Sequence, residues 1–359
     1  MNQTPMQSIL HKPEFSQAEL VQLLNASGDE EKALFSYASE VKQQHVGNTV
    51  YLRGLIEFSN ICEKNCYYCG IRRDNTSTHR YCLTNGEVLE AIRFAHENGF
   101  GSVAIQSGEL SSDAFIRKID FILKEAMRMT NREIGITLSC GEQSEEVYRR
   151  WFESGAGRYL LRIESSSEEL YYKIHPKDET HSFTKRLNAL EALKKTGYQT
   201  GTGVMIGLPF QTAGHLASDL LFMKQFDIDM CGMGPYIEHT QTPLYKNRSE
   251  LIPLQERFAL SLKMVALLRI LMPDINIAAT TALQSIEKNG REKALCVGAN
   301  VLMPNITPKQ YRDDYFLYQN KPVSQQSNED DLRFLEQQLK SIGHEIGYFK
   351  QGNSKHYRK

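Results

Sequence analysis

A complete (β/α)8 TIM-type barrel, an α/β fold carrying an N-terminal helical extension and a C-terminal helix, is predicted by three observations. Short apolar or β-branched runs recur eight times along the 359-residue chain. Amphipathic segments of helical length separate them. The residues following each run are polar or glycine, which is where the chemistry of such a barrel gathers. Alternating strands and helices ask for parallel strands with right-handed crossovers, and closing eight of them is the economical arrangement. A doubly wound open sheet is the competing architecture.

Taken in order, residues 1–46 form the extension. Positions 1–12 are polar and aperiodic, whereas 16–44 carry Leu20, Leu23, Leu24, Ala33 and Leu34 at helical spacing. The barrel is assigned to 47–315. Its expected strands are 50–58, 102–106, 134–139, 159–163, 203–206, 230–236, 275–280 and 300–303, and its expected helices 85–98, 112–130, 144–154, 182–196, 213–226, 252–271 and 283–295. Thr84 and Glu87 have the form of a capping box before Val88, Ser144 suits a helix N-cap, and Gly155 and Gly197 fall where helices end. Residues 316–359 are expected to be a C-terminal helix and flexible tail: 325–331 is polar, 332–342 reads as the last helix, and 351–359 as a frayed basic end.

Composition narrows the function. Forty-two Lys and Arg against 43 Asp and Glu leave no basic field for nucleic acid. No run approaches the roughly 18 to 20 apolar residues that cross a bilayer. Seven cysteines in a long chain, with no charged-then-apolar leader, point to a reduced, cytoplasmic protein rather than a disulfide scaffold.

Three of those cysteines, Cys62, Cys66 and Cys69, lie within eight residues after the first strand. They offer three thiolates and no adjacent fourth, so an iron-sulfur cubane held there keeps one iron free of protein ligands. A structural zinc needs four ligands, and the nearby candidates are His79 and Cys82, neither at a familiar finger spacing. After the second strand, Gly108 and Glu109 put a carboxylate beside a backbone that a ligand can approach. Arg158, Arg162 and Glu164 occupy alternate positions on the fourth strand and share a face; facing inward they need each other or a polar ligand, and facing the helices they are surface pairs. Arg186 begins the next helix within reach of the same end. Arg53 stands mid-strand in an apolar run, and Thr280, Thr281, Asn305 and Tyr311 offer neutral donors near the mouth. Cys82, Cys140, Cys231 and Cys296 are isolated, as small core residues are. His79, His175, His181 and His239 form no metal spacing.

The C-x3-C-x2-C run with Tyr68 before its last cysteine resembles the signature of the radical S-adenosylmethionine (SAM) superfamily. The ordered set of further segments is similar to the FeFe-hydrogenase maturase HydE family, related to biotin synthase and methylornithine synthase. Those segments include Tyr51-Leu-Arg-Gly54, Arg72-Arg-Asp-Asn75, Gln106-Ser-Gly-Glu109, Arg158-Tyr-Leu-Leu-Arg162 with Glu164, Gly207-Leu-Pro209, Thr242-Pro-Leu244, Ala279-Thr-Thr-Ala282, Met303-Pro-Asn305 and Tyr311-Arg312.

The resemblance implies one 4Fe-4S cluster on Cys62, Cys66 and Cys69. It implies SAM held by Arg162, Glu164 and Arg186 with Tyr68 and Glu109 beside it, and an internal substrate cavity lined by Arg53, Gln106, Thr137, Arg158, Met230, Thr280, Thr281 and Tyr311. With no cysteine after Cys296, no second cluster is expected there. The implied activity is reductive cleavage of SAM to a 5'-deoxyadenosyl radical during assembly of the hydrogenase H-cluster. A small-molecule or organometallic cysteine-derived substrate, an electron donor such as a ferredoxin or flavodoxin, and the maturases HydG and HydF as partners go with it. A methylornithine synthase-like or biotin synthase-like enzyme on a small carboxylate, and a non-catalytic iron-sulfur scaffold, are the alternatives.

Overall fold

The computed structural model describes residues 5–319, 321 and 329–358. A parallel sheet runs through its centre, built from β1 (Thr49–Ser59), β2 (Ser102–Ser107), β3 (Gly135–Ser139), β4 (Ala156–Leu160), β5 (Gln199–Thr202), β6 (Met230–Cys231), β7 (Asn276–Ile277) and β8 (Val301–Leu302). Neighbours follow chain order from β1 to β7, and β8 pairs with the free side of β1. Every pairing is parallel. Between β7 and β8 a parallel bridge joins Ala278 to Val301, and Asn300 N donates to Ile277 O at 2.9 Å.

Helices cover the outside of the sheet, most through one apolar stripe, whereas Leu254–Leu271 buries residues 264–269 on every side. Helix Asn85–Glu97 is representative: the Thr84 and Glu87 side chains and backbones cap each other, and Val88, Ala91, Ile92 and Ala95 are buried at the spacing that lines one face. Burying an aliphatic side chain of that size stabilises the fold by about 1.5 to 3 kcal/mol. Ser112, Ser144 and Ser182 accept from backbone N–H groups at the starts of three further helices. Between helices and sheet sits a knot of tyrosines in which Tyr148, Tyr159 and Tyr198 meet edge to face. It also fixes the loop after β3, since Tyr159 Oη donates to Gly141 O at 2.8 Å and Gln143 N donates to Tyr148 Oη at 3.0 Å.

Several elements depart from the sequence expectation. β4 and β5 each begin three or four residues before the expected start. The run Gln199-Thr-Gly-Thr202 lacks apolar side chains, yet all four residues are buried, so polarity hid a strand that pairs on both sides. The expected continuation survives as a separate short pair, Met205–Ile206 with Gly234–Pro235. The N-terminal helical stretch breaks into Gln17–Leu24 and Asp29–His45. The expected 283–295 helix is two helices, Thr281–Ile286 and Gly290–Val297. The last helix spans Glu329–Ser341, and residues 325–328 lie outside the described residues.

The largest departure is at the C-terminus. Residues 351–358 are not frayed: they run beneath the N-terminal ends of the strands as a strap held by hydrogen bonds to Arg53, Arg158, Gln199 and Asn276. Polar composition suggested a solvated tail, but its acceptors are what the buried polar groups at that end of the sheet require. Just before it, Glu345–Ile346 adds a ninth strand beside the start of β1.

Candidate active site

The loop after β1 carries the three cysteines at the C-terminal end of the sheet. Cys66 is buried, and Cys62 and Cys69 are partly so. Burial, with the neighbouring Cys62, pushes the Cys69 thiol up to about 12. Burial also raises Cys62, and it raises Cys66 further with the help of the other two sulfurs. Thiols so placed stay protonated until a metal takes the proton's position.

Two histidines brace this loop. His175 is fully buried and held neutral by desolvation; its Nδ1 faces Tyr171 O at 2.9 Å, which leaves Nε2 to accept from Tyr68 Oη at 3.2 Å. His181 Nε2 accepts from Asn65 N at 2.9 Å, between the first and second cysteines.

Beside the cysteines lies a four-membered ion network, its two cations buried and its two carboxylates partly so. Lys64, inside the cysteine motif, lies 3.0 Å from Glu109 and 3.1 Å from Glu142. Arg186 reaches Glu142 at 2.8 Å and Glu109 at 3.6 Å. Burial raises the Glu109 carboxyl against the pull of Arg186 and Lys64. For Arg186, burial opposes the charge but Glu142 and Glu109 outweigh it, and its pKa rises. Gly141 makes room for this: it sits at φ 76°, and a Cβ there would overlap the Glu109 carboxylate. In the segment that follows β4, Arg162 pairs with Glu164 at 3.0 Å; of the three charged residues expected on the fourth strand only Arg158 lies on it, because the strand ends at Leu160. Glu164 itself holds φ 65°, unusual for a non-glycine residue, and is pinned by its bridge to Val204.

A cavity of about 250 Å³ extends from the cysteine loop down the inside of the sheet. Of the residues expected at the site, Tyr68, Cys69, Arg162, Glu164, Arg53, Gln106, Thr137, Met230, Thr280 and Thr281 line it. Cys62, Cys66, Glu109 and Arg186 adjoin it through the loop and network just described. Arg158, expected among the lining residues, does not line the cavity: it lies beneath Arg53, bound to the strap. Tyr311 is a correction: it does not line the cavity, because its ring stacks on Tyr81 and its hydroxyl donates to Glu87 at 3.0 Å on the outer side of the sheet. Its cavity role came from the family resemblance, and its stacking partner was invisible in the sequence.

Four residues at the site carried no assigned role in the sequence. Lys64 sits inside the motif already noticed, and Glu142 ends the loop after β3, so both had a positional signal. Glu57 and Lys321 had none. They form a buried ion pair at the roof, where Asn305 Nδ2 also donates to Glu57 at 2.9 Å.

Comparison with known proteins bears on this arrangement. Residues 56–223 match the Radical SAM superfamily. The [FeFe] hydrogenase maturase subunit HydE of Thermotoga maritima is 46% identical over 316 residues, covering 87% of this chain and 86% of that protein. This chain belongs to the HydE family of the radical SAM superfamily. The 3-methylornithine synthase of Methanosarcina acetivorans is a more distant relative, 28% identical over 82% of the chain and 81% of its own length. Among solved structures, methylornithine synthase (PylB) superposes with a TM-score of 0.77 over 96% of this chain and 97% of its own at 24% identity, which speaks to the fold. The maturase HydG superposes equally well over 96% of the chain and 75% of its own, at 20% identity.

As a radical SAM enzyme of the HydE family, the chain uses a 4Fe-4S cluster and SAM. The cysteine loop suits the cluster. Among the described residues no three His, Cys, Asp or Glu side chains gather as a single-ion site, and a cubane asks for something else, one thiolate on each of three irons. The buried, mutually repelling sulfurs with raised pKa values are donors that only a strongly cationic centre would ionise. Among the described residues no helix is long and apolar enough to cross a membrane.

Proposed function

We propose that the chain cleaves SAM reductively and directs the resulting radical at an organometallic, cysteine-derived substrate during assembly of the FeFe-hydrogenase diiron site. The observation that carries this reading is a cavity with the cysteine loop at one end and Arg53 at its floor, with the Lys64–Glu109–Glu142–Arg186 network adjoining it beside the cysteines. Cys62, Cys66 and Cys69 would hold the cluster. When bound, the cluster supplies one electron to SAM, giving methionine and a 5'-deoxyadenosyl radical.

The residues of the chain bind, orient and exclude water. Arg186 receives the methionine carboxylate, since a guanidinium recognises a carboxylate with two parallel donors. Glu109 accepts from the methionine ammonium, exchanging Lys64 for it. Glu164, steadied by Arg162, accepts from ribose hydroxyls, and Tyr68, locked by His175, closes the side of the pocket. Deeper in, Gln106, Thr137, Met230, Thr280 and Thr281 shape the substrate chamber, and Arg53 with Arg158 below it attracts the substrate's carboxylate or cyanide end.

The fold that serves this chemistry is proposed to be a complete (β/α)8 barrel over 47–315, supported by the chain-order sheet and the Ala278–Val301 bridge, with 1–46 and 316–359 as flanking units. A cytoplasmic location, a ferredoxin or flavodoxin donor, and HydG and HydF as supplier and acceptor complete the reading. The test is an in vitro maturation mixture of apo-hydrogenase and HydG and HydF proteins, without HydE, to which the reconstituted chain is added. Hydrogen evolution is expected. Failure to restore it while SAM cleavage proceeds would move the substrate to another class.

A further inference from the structure

Arg53 lines the floor of the cavity with Arg158 behind it, 5% and 1% exposed, and among the described residues neither forms an ion pair. Burial lowers the Arg158 pKa to about 10, and burial with the charge of Arg158 lowers Arg53 further. Two like charges in such a place are costly unless something satisfies their donors. What satisfies them is the C-terminal strap. Arg158 Nη2 donates to Gln351 O at 2.7 Å and to Asn353 Oδ1 at 2.6 Å. Arg53 Nη2 donates to Gly352 O at 3.2 Å and its Nη1 faces Met230 Sδ at 3.0 Å.

The strap is built for this position. Gly352 holds φ 61°, and a Cβ there would overlap the Tyr51 ring; a Cβ at Gly101 would overlap the Lys350 carbonyl. Asn353 is fixed from its other side, its Oδ1 accepting from Gln199 Nε2 at 2.8 Å while Gln199 Oε1 accepts from Ser354 N at 2.9 Å. Farther along, His356 bridges Asp227 and Asp274 at 2.7 and 2.8 Å. Every acceptor the strap offers the two arginines is neutral, although one Asp in place of Asn353 would make an ion pair. The Nε atoms of both arginines and Thr137 Oγ1 remain buried without partners.

We infer that residues 351–354 are a positioning element of the enzyme: neutral oxygens hold Arg53 and Arg158 in place without cancelling their charge, so that the cavity floor stays positive for the anionic end of the substrate, and Asn353 is the positioning residue that keeps Arg158 uncompensated. The inference rests on the reading that the floor receives an anion. It separates two jobs that a carboxylate would merge, orienting a guanidinium and neutralising it. A carboxylate on Arg158 would lower the potential at Arg53 by the ordinary Coulomb reach of a charge a few ångströms away in a partly buried site.

The experiment measures acetate binding by calorimetry to the reconstituted, SAM-loaded chain and to three variants, together with thermal stability. Arg53→Gln is expected to abolish acetate binding. Asn353→Asp is expected to weaken it about tenfold while leaving the melting temperature equal or higher, because a new ion pair stabilises the strap as it removes charge from the floor. Asn353→Ala, which loses an acceptor but adds no charge, is expected to weaken binding less than the Asp variant and to lower stability. A role confined to structure would instead make binding follow stability in both variants. Acetate binding that is unchanged in Asn353→Asp but lost in Arg53→Gln overturns the strap inference alone. Binding unchanged in both, or absent from the wild-type chain, overturns the anion reading of the floor and the strap inference with it.

Discussion

At the cysteine end of the cavity two buried cations, Lys64 and Arg186, face two partly buried carboxylates, Glu109 and Glu142, whereas at the floor Arg53 and Arg158 meet only neutral oxygens and a sulfur. Both sets are desolvated. The difference lies in what each leaves for a ligand. A balanced network has no net charge to offer, but it can exchange partners, which suits a zwitterion such as the methionine part of SAM. An unbalanced floor keeps a standing positive potential, which suits the anionic end of a substrate. On the proposed reading, one cavity sorts its two ligands by charge.

The contrast can be broken at several points. Cys66→Ala is expected to have the largest effect, since it takes one of three thiolates from the cluster: iron content should fall from about four per chain toward zero and 5'-deoxyadenosine should vanish. Iron counting beside product analysis reads both, and full activity without the thiolate would end the contrast by removing its upper half.

Next in size is Glu142→Gln. It leaves two cations against one carboxylate in a site where losing one partner of a buried pair costs about 3 to 5 kcal/mol. Denaturant unfolding should show that loss together with weakened SAM binding, and the double variant with Arg186→Gln should recover part of the stability. No stability change in the single variant would mean that the upper network is not balanced.

At the floor, Gly352→Ala meets both the left-handed φ and the Tyr51 ring, and should destabilise the protein by about 1 to 3 kcal/mol. Hydrogen exchange in 351–357 should rise in that variant while the cysteine loop is unaffected, so the two ends respond separately.

The pH dependence of the two ends is expected to be smaller and opposite in origin. At the strap, burial opposes the charge on His356 but Asp227 and Asp274 outweigh it, and its pKa is raised above 6.5. Its contribution is therefore fully present below 6.5 and is lost as pH rises through the raised value. Hydrogen exchange of the strap should quicken over that rise, and His356→Phe should remove the dependence. At the upper end, Asp219 accepts from Ser166 N at 2.7 Å and Ser166 Oγ at 2.6 Å, two residues from Glu164. Burial pushes its carboxyl from 3.8 up to about 7. Its stabilisation is complete below 3.8 and is lost as pH rises through about 7. Asp219→Asn should flatten the melting temperature between about pH 5 and pH 6.5, below the range where His356 titrates, and a slope unchanged by the substitution would exclude Asp219 as its source.

The upper end was far more legible in the sequence than the floor, for a physical reason. Cluster ligands and the turn residues around them are local: Cys62, Cys66 and Cys69 sit within one loop, and Gly108 and Glu109 follow directly on a strand. Lys64 and Glu142 were on the page but silent, because an ion network is defined by which loops meet. Arg53 and Arg158 could be seen as misplaced charges, and periodicity gave their strands approximately. Their partners could not be seen, since Gln351, Gly352 and Asn353 lie almost two hundred residues beyond Arg158 in a polar stretch that reads as solvated. The same blindness hid β5, whose Gln199 and Thr200 are buried because other polar groups meet them there. Apolar patterning reports burial by hydrophobicity and is mute where burial is satisfied by hydrogen bonds.

The measurement that tests the account most directly is product analysis on the anaerobically reconstituted chain given SAM and a one-electron reductant. The account predicts about four irons per chain and 5'-deoxyadenosine that depends on the reductant. A chain carrying its full cluster that binds SAM yet releases no 5'-deoxyadenosine under reduction would contradict it.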